Sequence, residues 1–338
     1  MEAGVIVLLA LLLVEIWGLK YQTHPNDLLS YQCTNILRGV CCFPVVFCHM
    51  NEPYNLICQM GKYAYIAVTI FFMFSSYGLE VSARTKENYL EHFFAKRVTA
   101  ILVPYMLSVV IKLIFGVSLT FGGAWFVHVL LIYYFVFYFA HAKIRNAKKQ
   151  EYFLLFCTLG FSIGGFFFGY KLRLPKIGLN WYPESLGLTL GILIAYHYEQ
   201  FNKFFKTKVL IKFIAGMFIA VFLKYTFDNY ILVFYIDKYR FLCNYLYRMA
   251  AAVSVIVVIM LLFAHIKIGN RVSSQLGKIS FEIFLYHSLY LQILSKLPVS
   301  LDGNLYVSAA FLCTIMTAAI MNKAAHVIMK RMTFLQIK

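Results

Sequence analysis

Apolar runs of about twenty residues recur along this chain, and that recurrence restricts its fold more than any other feature. Each run is long enough to cross the roughly 30 Å hydrocarbon core of a bilayer as a helix. After a first candidate helix from Gly4 to Leu19, ten further runs lie at 36–50, 61–82, 98–116, 123–141, 152–170, 184–199, 207–223, 249–266, 279–296 and 305–329. The chain is 62% hydrophobic and 13% charged, whereas soluble domains are about 45–50% apolar. An ordinary globular protein is thereby excluded. The expected fold is all-α: a polytopic transmembrane helix bundle with a ten-helix core plus an extra N-terminal helix. No polar stretch is long enough to fold separately, so the expected division is 1–34, an extra transmembrane helix and its cytoplasmic connection, and 35–338, one membrane domain.

The net charge of +17 would suggest nucleic acid as partner in a soluble protein. Here the basic residues sit mostly in short loops between apolar runs, where the positive-inside bias explains them, and no basic motif with a recognisable fold accompanies them. No nucleic-acid partner is therefore expected; the lipid bilayer is. Counted over alternate loops, 19 Lys and Arg fall on the side that holds Arg38, Lys96 and Arg97, and 9 on the other. That asymmetry places the C-terminus in the cytoplasm and, with eleven spans, Met1 outside. The first helix carries Glu2 in place of a basic n-region and lacks a small-residue cleavage site, so it reads as a mature helix rather than a signal peptide. The eight cysteines show no CxxC pair and no zinc spacing. They read as small buried hydrophobes, and no metal site is expected.

Ionisable side chains inside a membrane are costly, so each is a functional candidate. His49 lies eleven residues after Arg38, about 16 Å along a helix, which carries it past the midplane if Arg38 marks the cytoplasmic edge. It reads either as an interfacial histidine or as the base that takes a proton from a hydroxyl in acyl transfer. Lys96 and Arg97 read either as topology determinants or as a phosphate clamp. Glu282 and His287 are five residues apart and so do not share a helical stripe. Glu282 reads as structural, and His287 as a weaker site candidate. Six tyrosines between Lys224 and Arg248 read as an interfacial aromatic belt or as a carbohydrate-stacking surface.

Several segments, taken in order, resemble the acyltransferase-3 family of bacterial integral-membrane acyltransferases. Leu37-Arg38-Gly39 with His49 is similar to the opening of its first core helix. Phe71-Phe72-Met73-Phe74-Ser75-Ser76-Tyr77 resembles its second-helix signature, with Ser76 in place of the usual glycine, and Phe94-Ala95-Lys96-Arg97 to Pro104-Tyr105 resembles the basic start of the third. Where that helix usually carries Arg-x-x-Arg, Ala100 follows Arg97 here. Trp125-Phe126-Val127, Trp181-Tyr182 with Leu188 to Gly191, and Leu276-Gly277-Lys278-Ile279-Ser280 to Tyr286-His287 are similar to later elements.

This resemblance implies a membrane O-acyltransferase of the cell inner membrane. Its donor substrate would be cytoplasmic acyl-CoA, taken as acetyl-CoA, and its acceptor a hydroxyl of an extracytoplasmic or lipid-linked glycan. The resemblance makes His49 the catalytic residue, puts Arg38, Lys96 and Arg97 at the donor, and leaves Ser75, Trp125, Glu282 and His287 as substrate or structural positions. Family members often add a soluble esterase-like domain after the membrane core, and none follows here before Lys338. The expectation is direct transfer to the acceptor, or transfer to a separate extracytoplasmic partner protein. Two other classes stay open at this point: a glycan or lipid transporter without acyl-transfer chemistry, and a scaffold or sensing subunit.

Overall fold

The computed structural model describes residues 5–21, 29–50, 57, 60–119, 125–172, 181–226, 237–267, 269–296 and 303–336. Its elements are α1 (Val5–Ile16), β1 (Lys20–Tyr21), α2 (Tyr31–Phe47), α3 (Ala64–Thr85), α4 (Phe93–Ile114), α5 (Trp125–Lys143), α6 (Ala147–Leu172) and α7 (Trp181–Glu184). They continue with α8 (Leu186–Tyr196), α9 (Tyr198–Lys206), α10 (Val209–Thr226), α11 (Asp237–His265), β2 (Ile266–Lys267), α12 (Arg271–Lys278), α13 (Ser280–Ser295) and α14 (Gly303–Gln336). Each apolar run of the sequence falls on a helix, and the fold is an all-α bundle. Among the described residues, α3, α4, α5, α6, α10, α11 and α14 are long and apolar enough to cross a membrane by themselves. The helix α1 has 12 residues, about 18 Å of rise, short of the hydrocarbon thickness.

Two close crossings build the centre. On α8, Gly187 and Gly191 lie one turn apart and press against α3, where a Cβ on Gly187 would stand 2.1 Å from the Thr69 carbonyl oxygen and one on Gly191 2.2 Å from that of Met73. Only hydrogen fits there, and small residues are how membrane helices approach this closely. Ser76 sits at the same crossing, fully buried, with its hydroxyl donated back to the Phe72 carbonyl at 3.1 Å. A glycine on α8 therefore makes the room that Ser76 takes on α3.

The second crossing joins α2 to α12. A Cβ on Gly39 would stand 2.9 Å from the Gly277 nitrogen, and a Cβ on Gly277 1.9 Å from the Asn35 carbonyl oxygen. The Asn35 side-chain amide donates to the Ser274 carbonyl at 2.7 Å and locks the register. The glycine after Arg38 and the glycine of Leu276-Gly277 thus serve one contact between chain segments far apart in sequence. Asn270 begins α12 with a reciprocal cap to Ser273 and also donates to the Trp17 carbonyl at 2.9 Å, which ties the end of α1 to this corner. The two-residue antiparallel ladder β1–β2 pairs Lys20 with Lys267 beside it.

At the margin, α10 rests almost alone on α11. Gly216 is its one buried residue, set against Val258, while Phe218 on the far face is 70% exposed.

Candidate active site

The helix α2 carries two of the site's groups. Ser30 caps its start by accepting from the Cys33 amide at 3.3 Å. Near its end Pro44 has no N–H to give and limits the helix. The chain then turns tightly: the Cys48 amide bonds the Pro44 carbonyl at 3.0 Å, and the His49 amide bonds that of Val46 at 3.2 Å. His49 is half-buried in this turn, and Cys48 beside it is exposed.

From α13, His287 meets His49 with ring centroids 4.9 Å apart and planes inclined by 35°. His287 is wholly buried. Its Nδ1 lies 2.7 Å from the Phe284 carbonyl oxygen, which can only accept, so the proton sits on Nδ1. That leaves Nε2 as a lone-pair nitrogen, and it is buried without a hydrogen-bond partner among the described residues. Lys112 of α4, 8% exposed, is close enough for its charge to act on both rings.

Towards the other end of the bundle lies a cavity of about 470 Å³. Its polar lining includes Arg38 of α2, Ser75 and Ser82 of α3, Lys86, Arg97 of α4 and Tyr134 of α5, and none of the described residues that line it is acidic. The Arg38 guanidinium lies 6.0 Å from the centre of the Phe74 ring, and the Arg97 Nε donates to the Tyr89 hydroxyl at 2.9 Å. Cations gathered in a partly apolar hollow without a carboxylate form a binding site for a polyanion. The cavity does not reach His49. Its lining includes Phe126 and Phe284, whose rings are 5.2 Å apart, and His287, which does not line it, lies against Phe284 with centroids at 6.0 Å. A cationic hollow and an imidazole pair are therefore divided by one aromatic layer.

The family model for an acyltransferase domain matches residues 31–322, most of the chain. The chain belongs to the acyltransferase-3 family. No curated protein matches it, and no solved structure does. As a member of the family it is a multi-pass membrane acyltransferase. The match begins with α2, so α1 lies outside it.

The residues singled out in the acyltransferase-3 segments are not all brought together. Arg38, Arg97 and Ser75 share the cavity, and His49 and His287 share the imidazole pair. Lys96 is exposed and does not line the cavity; Lys86, which follows α3, does. Trp125 packs against Phe72 at 6.2 Å between centroids and supports the aromatic layer from behind. Glu282 is buried on the other face of α13, where it accepts from the Asn322 side chain at 2.9 Å. Of the tyrosines between Lys224 and Arg248, Tyr230 and Tyr235 lie outside the described residues, and of Tyr239 only the backbone is described.

Sequence reasoning also missed several buried polar groups. Lys112 and Glu80 both fall within apolar runs, the signal that could have found them. Glu80 lies 3.1 Å from His141 and 3.8 Å from Arg84. The buried Glu184 forms an ion pair with the half-buried Arg248.

Proposed function

We propose that this acyltransferase moves an acyl group, acetyl in the simplest case, from cytoplasmic acyl-CoA to a hydroxyl of an extracytoplasmic or lipid-linked glycan at the plasma membrane. The single observation that carries this reading is the acid-free hollow holding Arg38, Lys86 and Arg97, one aromatic layer away from His49 and His287. The Arg38 end faces the cytoplasm together with the C-terminus, in keeping with the distribution of basic loops. There the two guanidiniums and the lysine hold the phosphates of the nucleotide, Arg by paired donors and Lys as a point charge.

The flexible arm of the donor passes Phe284 and presents its thioester to the imidazole pair. The acceptor arrives from the opposite side, where Cys48 is exposed and His49 half-buried. His49 takes the hydroxyl proton as the acceptor oxygen attacks the thioester carbon. The C–S bond then breaks, and the thiolate leaves with a proton returned from the imidazolium. The fixed tautomer of His287 keeps a neutral ring against His49, and the Lys112 ammonium offers its charge to the oxyanion. Attack by His49 itself, through an acyl-imidazole, gives the same products in two steps.

The test is His49→Ala, purified in nanodiscs and given radiolabelled acyl-CoA with acceptor glycan. Loss of about 10²- to 10⁴-fold in transfer is expected at unchanged abundance. Transfer at the normal rate would remove His49 from the chemistry.

A further inference from the structure

A second hollow of about 470 Å³ opens on the flank of the bundle between α3, α10 and α11. Its two ends differ in chemistry. Tyr63, Tyr65, Tyr225, Tyr247 and Lys224 gather at one end, and Met217, Val255 and Val258 line the other. From Tyr247 to Val258 is eleven residues of α11, about 16 Å of helix. Met217 and Val221 are exposed along α10, so the groove opens sideways from an apolar helix. Its closed end is the Gly216–Val258 contact.

The polar end leads back to the imidazole pair. Tyr65 lies under the Arg248 guanidinium, 4.9 Å from its ring centre. Arg248 in turn pairs with Glu184. Gly61, two residues before Tyr63, packs directly on the turn that carries His49, where a Cβ built on it would stand 2.7 Å from the Cys48 Cα, so the mouth of the groove lies beside the candidate catalytic histidine.

We propose that this groove holds the acceptor by its lipid: a lipid phosphate that carries the hydroxyl-bearing glycan. The tail lies in the membrane against Met217, Val255 and Val258, the phosphate meets Lys224, and the first sugar lies against the tyrosines. A groove that is apolar where it faces lipid and basic and aromatic where it nears His49 matches an anionic amphiphile, and fits a free polysaccharide poorly. This proposal rests on the acyl-transfer reading and adds to it the way the acceptor reaches the site.

The test uses the full-length protein in phosphatidylcholine nanodiscs with a photoactivatable polyprenyl phosphate. Crosslinks are expected within 63–66 and 247–258, and excess unlabelled polyprenyl phosphate should remove them while excess phosphatidylglycerol does not. Val255→Trp fills the groove and should abolish them, with acyl-CoA binding and thioester cleavage unchanged. Lys224→Glu, at the rim, should lower them by at least about tenfold. Label spread evenly over the exposed face of α10, displacement by phosphatidylglycerol as readily as by polyprenyl phosphate, or indifference to both substitutions would overturn the groove as an acceptor site. Failure of the unaltered protein to bind or cleave acyl-CoA would instead overturn the acyl-transfer reading, since the crosslinks need no donor.

Discussion

Arginines lie half-buried at both ends of the bundle, but in opposite company. Arg248 near His49 pairs with Glu184, which is 2% exposed, and the guanidinium is covered by the Tyr65 ring. Arg38 and Arg97 face a hollow that none of the described acidic residues lines, where Arg38 lies near the Phe74 ring and Arg97 donates to the Tyr89 hydroxyl. A buried charge neutralised within the protein is structural; one left without a counter-charge beside a cavity awaits an anion from outside. Burial alone does not reveal which role an arginine has. The presence of a carboxylate does.

The largest effect that would break this contrast belongs to Arg248. Arg248→Ala strands the Glu184 carboxylate and should cost about 3–5 kcal/mol of stability, read as a fall in melting temperature and in membrane abundance. Glu184→Leu combined with Arg248→Met should restore most of it. If the single variant were as stable as the parent, the pair would not be structural.

Next come Arg38→Ala and Arg97→Ala. Each removes charge-assisted bonds worth about 1.5–3 kcal/mol and should raise the KM for acyl-CoA by roughly 10- to 150-fold, with the melting temperature kept or raised because two like charges no longer face each other. Weaker stability without a change in KM would mean that these residues are spacers like Arg248.

Smallest of all is Lys96→Ala. Its side chain is exposed and outside the cavity, so the change should stay within about 0.5 kcal/mol in stability and leave KM unaltered, whereas Lys86→Ala should raise KM. A large effect of Lys96 would put the phosphate groups at the membrane surface instead of in the hollow.

The helices were legible because a twenty-residue apolar run has few other outcomes in a membrane. The candidate site was legible in its placement where a motif tied residues to one helix: Arg38 and His49 share α2 and its turn, and Arg97 lies near the start of α4. What escaped was partnership between helices. Lys96 and Lys86 look alike as basic residues in one loop, and only the packing of α3 against α4 and α5 decides which lines the cavity. Arg248 counted as a loop cation, because nothing near it in sequence announces Glu184, sixty-four residues earlier. The two motif glycines, Gly39 and Gly277, look like separate signatures until α2 and α12 are seen to touch through them.

That glycine contact has a mechanical result. It pins α2 at the position next to Arg38, so the Arg38 guanidinium and the His49 imidazole, in the turn just past Phe47, are held at a nearly constant separation. On the acyl-transfer reading proposed above, a nucleotide anchored at its phosphates would bring its sulfur to a place set by the reach of its own linker, whatever acyl group hangs beyond. The protein would then gauge the carrier, and discrimination among cargoes would fall to the space past the two rings.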